Sequence, residues 1–197
     1  MKKIIKFIIF YTILLMVGLI SCKAQQIYPL NNSELDSAIN SYFKDLNNEL
    51  DPFIGTWKAD FQGKTITLII NKQLKRPYEV WSKNFFKDVI IVKYEVKDSN
   101  GQIYQSTLNS NFYGNNLYNI ILSLGTNLNS SNEVNLYYAG GNCGVGSGDI
   151  KFQKITSTQF YWSYYPGTTT RIDTLCPPNL DYHIYLPETE NLIFTKQ

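Results

Sequence analysis

Two stretches of this 197-residue chain bring together residue types that chemistry uses. Residues 140–148 read Gly-Gly-Asn-Cys-Gly-Val-Gly-Ser-Gly. A phosphate-cradling loop needs a Lys-Ser/Thr after its glycines, or a GxGxxG that opens a helix. Neither is present: no such lysine follows, Asp149 stands where the last glycine would fall, and no helical spacing begins there. A flexible hairpin loop is the reading that remains. Asp181-Tyr182-His183 sets the single histidine two residues from a carboxylate. Alternate residues of a strand share a face, so the two could pair. A catalytic triad would also need a nucleophile, and no GxSxG elbow occurs. Cys143 beside His183 would be a thiol alternative, but oxidation would block it. An edge-strand histidine is the simpler reading. With one histidine and no CxxC or HxxxH spacing, zinc lacks a ligand set. No metal or cofactor is expected, and no catalytic role is expected of the chain.

The stretch Phe160-Tyr161-Trp162-Ser163-Tyr164-Tyr165 is the most unusual in composition. As a strand it carries aromatics on both faces. One set must go inward, and the other is left to line an outer groove or partner surface. Aromatic walls stack on sugars and flat ligands, with a few polar tips for orientation. Trp57, Tyr94, Trp162 and Tyr164 form the expected wall of a cavity for a small apolar or aromatic-stacking ligand. Tyr161 and Tyr165 are the residues to test if an envelope protein docks outside instead.

These aromatics need a scaffold and an address. Residues 1–21 have the layout of an export signal: Lys2, Lys3 and Lys6, then an apolar run over residues 7–20. That run of 14 residues suits a signal core better than a membrane span. Leu19-Ile20-Ser21-Cys22 directly after it resembles the lipobox of bacterial lipoproteins. The resemblance implies that Cys22 is acylated and becomes the first mature residue, tying the protein to a membrane. Two or more acyl chains are needed for stable anchoring. Lys23, not Asp, follows, so the expected place is the outer membrane facing the periplasm. No acidic run supports display on the outer surface, though the sequence leaves that open.

Removing the signal takes away three lysines and no acid, which leaves 15 basic against 16 acidic side chains, a net charge of −1. No Lys/Arg cluster survives, so nucleic-acid binding has no electrostatic footprint. With Cys22 acylated, Cys143 and Cys176 remain. An oxidising envelope permits them to form a disulfide, the alternative being two buried thiols.

The elements follow from periodicity. Residues 22–50 read as a tether plus one short helix. Leu35, Ile39, Tyr42 or Phe43, and Leu46 recur at helical spacing over residues 33–46, with Ser33 as cap. Residues 51–197 read as one all-β domain of ten or so short strands. The first opens Gly55-Thr56-Trp57, turns at Gln62-Gly63 and returns over residues 64–72. Residues 71–77 read as a loop and 78–82 as a third strand. Residues 86–97 and 102–108 flank the Asn100-Gly101 hairpin signal. Residues 133–139, 149–155, 159–165, 168–175, 182–186 and 192–195 complete the set. The expected architecture is an antiparallel meander closing as an up-and-down barrel or curled sheet.

Asp51-Pro52-Phe53-Ile54-Gly55-Thr56-Trp57-Lys58 resembles the opening strand of calycins, the lipocalin, fatty-acid-binding and avidin group. The short first turn is more like avidin. Tyr42-Phe43-Lys44-Asp45-Leu46-Asn47, the Gly55-Thr56-Trp57 strand, the segment from Phe86-Lys87-Asp88-Val89 to Tyr94-Glu95-Val96, and Asn191-Leu192-Ile193-Phe194-Thr195-Lys196 together resemble an uncharacterised domain-of-unknown-function family of Gram-negative envelope lipoproteins. That family implies no activity to carry over.

Overall fold

The computed structural model describes residues 24–112, 118–127, 130–169, 174 and 176–197. The export signal and Cys22 lie outside them, as does most of the expected strand at 168–175. Among the described residues, eleven strands form one sheet. Two short ones come first: β1 (Ile27–Pro29) and β2 (Tyr42–Lys44). Then follow β3 (Gly55–Phe61), β4 (Lys64–Val80), β5 (Lys83–Asp98) and β6 (Ile103–Ser106). The rest are β7 (Ile121–Asn127), β8 (Ser130–Tyr138), β9 (Gly148–Lys154), β10 (Gln159–Pro166) and β11 (Leu192–Lys196).

Eight of these close a barrel. In chain order β3, β4, β5, β7, β8, β9, β10 and β11 pair antiparallel, each with the next, and β11 returns to β3. One edge of β5 serves three partners in series: β2 at Phe86 and Lys87, β7 at Ile91 and Val92, and β6 from Glu95 to Lys97. Strand alternation sends Trp57, Ile66, Leu68, Val92, Leu136, Phe152, Trp162 and Phe194 into one buried cluster. Eight strands enclose an interior that side chains can just fill.

The two ends differ. At the hairpin end, β4 and β5 run on beyond the barrel as a long ribbon that turns at Trp81 and Ser82 (φ +48° and +58°). Residues 24–54 pack here, and Leu30, Phe43, Leu50 and Phe53 join the core. At the loop end lie the Gln62-Gly63 turn, the 140–147 loop and the long connection before β11. Cys143 and Cys176 are disulfide-bonded there, 6.0 Å apart at Cα, so the pairing expected from the compartment is present.

Four expectations need correction. Residues 33–46 are not a helix but a series of turns ending in β2. Ser37 Oγ donates to the Ser33 carbonyl (2.7 Å) and Ser41 Oγ to that of Ala38 (2.6 Å), while Asn40 takes φ +65°. Such local bonds and a left-handed residue compete with helix. The burial is inverted as well: Ser37, Ser41 and Asp45 are buried, whereas Leu35, Ile39 and Leu46 are exposed. Second, residues 71–77 are no loop. β4 is continuous over 17 residues, with a bulge between Gln73 and Arg76 absorbing Leu74 and Lys75. Third, residues 182–186 form no strand. Fourth, at 98–101 only Gly101 takes positive φ (+85°), so the turn is not the type I′ expected of Asn-Gly. Asp98 Oδ1 accepts from the Asn100 and Gln102 amides instead.

Candidate functional site

Each of the four aromatics expected to line a lumen packs against another ring. Trp57 lies 4.7 Å from Phe160, ring centre to ring centre, and its indole N–H donates to the Phe53 carbonyl at 2.7 Å. Trp162 packs against Phe152 and Phe194, both at 5.6 Å, and donates to the Pro187 carbonyl at 2.9 Å. Tyr94 and Tyr164 each meet Tyr138 edge-on, at 6.3 and 6.0 Å. All four side chains are fully buried. Among the described residues, every buried side-chain nitrogen and oxygen has a partner. No orphan donor waits for a guest. Trp57, Tyr94, Trp162 and Tyr164, the residues expected to hold a lumen ligand, thus pack against neighbouring rings, with their polar atoms bonded within the protein.

The hydroxyls of the buried tyrosines seal the loop end. Tyr94 donates to Gln105 Oε1 (2.9 Å), Tyr138 to Asn119 Oδ1 (2.9 Å), and Tyr164 to the Gly146 carbonyl. Burial raises all three phenols above the ordinary tyrosine range, so they stay protonated donors. Gly146 sits at φ +75°, where a Cβ would come within 2.9 Å of Ile184 and of the Tyr164 hydroxyl. Asn142 Nδ2 donates to the Asp181 carbonyl at 2.7 Å. The glycine-rich loop thus acts as a bracket. It joins the barrel rim to the long connection, helped by the disulfide.

Above this seal lies a cavity of about 270 Å³. Gln62 and Lys64 supply one wall, and His183, Tyr185 and Glu188 the other. Tyr185 stacks on Tyr104, with ring centres 5.7 Å apart and planes 19° apart. Tyr104 is 41% exposed. The Lys64 ammonium stands 5.3 and 5.7 Å from the two ring centres, within cation–π range. Asp181 orients the platform: its carboxylate accepts from the Tyr185 hydroxyl (2.8 Å) and the His183 amide (2.9 Å). Those two bonds, the His183 amide first, hold Asp181 below the usual carboxylate range, while the carboxylate raises Tyr185. Asp181 therefore bonds the backbone of His183, not its imidazole. Among the described residues, Gln62 and Glu188 make no side-chain hydrogen bond. Among the described residues no three His, Cys, Asp or Glu converge as a metal site.

A second cleft, also about 270 Å³, lies on the barrel wall and is lined mainly by Tyr78, Val80, Val89, Leu122 and Leu124. Glu34 closes one side. Its Oε1 accepts from the Tyr78 hydroxyl (2.6 Å) and from Lys87 Nζ, which also donates to the Leu124 carbonyl (2.7 Å).

Sequence reasoning missed the Tyr104–Tyr185 platform. The two tyrosines lie far apart in the chain, in segments with no special spacing, so no local signal joins them. On the outer wall, Tyr137 and Tyr165 flank Asp149 on three neighbouring strands, both partly exposed.

The family model described as "Family of unknown function (DUF6705)" matches residues 1–197. Neither a curated protein nor a solved structure matches the chain.

Proposed function

We propose, for a chain that belongs over its whole length to the DUF6705 family of unknown function, a non-catalytic envelope lipoprotein that binds a small ring-bearing polar ligand at the mouth of a filled barrel. A saccharide is the chemical class that fits best. Its apolar ring face stacks on an aromatic, and its hydroxyls take the surrounding amide, carboxylate and ammonium groups. The carrying observation is the half-exposed Tyr104–Tyr185 pair beside the 270 Å³ cavity, with Gln62 and Glu188 uncommitted at its rim. The export signal and the Cys22 lipobox support anchoring at the outer membrane, facing the periplasm.

Calorimetric titration with a panel of neutral oligosaccharides tests the ligand. Tyr104→Ser should weaken binding by roughly tenfold, the worth of one aromatic stack. Failure of the intact protein to bind any saccharide in the panel would refute the class. Anchoring is tested separately, by the mass of the mature N-terminus and by accumulation of the precursor under globomycin.

The Tyr137–Asp149–Tyr165 row favours a second reading, an interaction protein that docks an envelope partner on its outer wall. Changing Tyr161 and Tyr165 to Ser should then abolish partner capture and leave saccharide binding intact.

A further inference from the structure

Several large exposed apolar side chains lie on or beside one ribbon. Trp81, at the tip of the β4–β5 ribbon, is 60% exposed, and Leu74, in the bulge of the same ribbon, is 65% exposed. Leu35 and Ile39 stand out from the turns packed against that ribbon. These turns are tied to it: the Asn40 amide donates to the Asn84 carbonyl at 2.7 Å, and the Phe86 amide to that of Ser41 at 2.9 Å. Lys75, next to Leu74, stands over the rings of Tyr42 and Phe86. The four apolar side chains therefore crowd one end of the molecule. The saccharide mouth is at the other.

The chain enters the fold at that same end. β1 runs parallel to β2, and β2 parallel to β5. Since β5 starts at the hairpin end, residues 24–26 lie on that side. Ala24 and Ile39 line one shared groove, and Gln25 Nε2 donates to the Asn40 carbonyl at 2.6 Å. Only residues 23–26 separate Cys22 from β1, a reach of at most about 18 Å between their Cα atoms. Two ladder spacings carry Ile27 across to Phe86, about 10 Å, and the ribbon tip is about 17 Å further along β5. A lipid on Cys22 thus leaves no room for a long stalk. It holds the ribbon tip at the bilayer.

We infer that the hairpin end is a membrane-contacting face, in which Trp81, Leu74, Leu35 and Ile39 rest in the lipid interface beside the acyl chains of Cys22. Indole rings favour the headgroup level, with an apolar body and a polar N–H. The inference rests on the lipoprotein reading above. It adds an orientation: the tether is folded onto the barrel, and the saccharide mouth points away from the bilayer.

Three tryptophans allow a direct test, because Trp57 and Trp162 are buried and Trp81 is not. The full-length, signal-processed protein is reconstituted in vesicles of phosphatidylcholine brominated on its acyl chains. Flotation reads the anchor, and fluorescence reads the face. The expected result is a protein that floats and loses about a third of its emission to the brominated lipid, one indole of three. The Trp81→Phe variant should float equally and lose none. A floating protein whose Trp81 is quenched by aqueous iodide and not by bromine overturns the face alone. One shielded from both points to a second copy covering the patch, and also overturns it. Protein left in the supernatant overturns anchor and face together.

Discussion

Lys87 and Glu34 show how a single pair can be both costly and needed. The Lys87 side chain is only 6% exposed and that of Glu34 23%. Burial lowers the Lys87 ammonium by more than its bond to Glu34 raises it. Burial alone would raise Glu34, but hydrogen bonds from Lys87 and Tyr78, with the lysine's charge, bring it below the usual carboxylate range. A carboxylate lowered in the fold adds stability above the pKa of the unfolded chain and loses it as pH falls through the folded value. The urea midpoint should therefore drop on acidification below the usual carboxylate range, and Glu34→Gln should flatten that drop. Lys87→Met alone strands Glu34 and should cost about 2–3 kcal/mol. The double change with Glu34→Gln should be milder than the sum of the two, because no uncompensated charge remains. Gly146→Ala is the second residue-scale prediction. A left-handed backbone and a contact under 3 Å should cost about 1–2 kcal/mol in denaturant melts.

At the scale of elements, the strands were more legible than the segment at residues 33–46. Ile66, Leu68 and Ile70 alternate cleanly, and all three are core. Leu35, Ile39 and Leu46 have helical spacing, yet each points outward. The segment could not show this by itself. Its backbone is held by serine side chains and by Asp45, whose carboxylate accepts from the Glu49 and Leu50 amides and from Lys72 Nζ. The β4 bulge was hidden for a like reason. A polar run from Asn71 to Pro77 reads as loop until a partner strand supplies its ladder. The 140–148 loop was legible as a loop, and its disulfide closes a separation of 33 residues. Reducing Cys143–Cys176 should cost about 3–4 kcal/mol by loop entropy. It should also weaken saccharide binding, since the bracket holds Asp181 and hence Tyr185 in place. Denaturant melts and titrations with and without reductant check both.

At the scale of the whole molecule, packed aromatic and aliphatic side chains form the barrel's core. Trp162→Ala should cost about 3–5 kcal/mol and open a cavity large enough for a small aromatic probe that the intact protein excludes. Xenon or indole binding to the variant, with none to the parent, checks this.

What the chain determined by local pattern was its alternation, its tight turns, an all-β meander and the burial of Trp57 and Trp162. These follow from side-chain periodicity and turn chemistry, which neighbouring residues carry on their own. Whether the barrel was hollow, which tyrosines met at its mouth, and where the first residues docked were decided only by closure. Packing of facing rings, and contacts between segments remote in sequence, exist only once β11 has found β3.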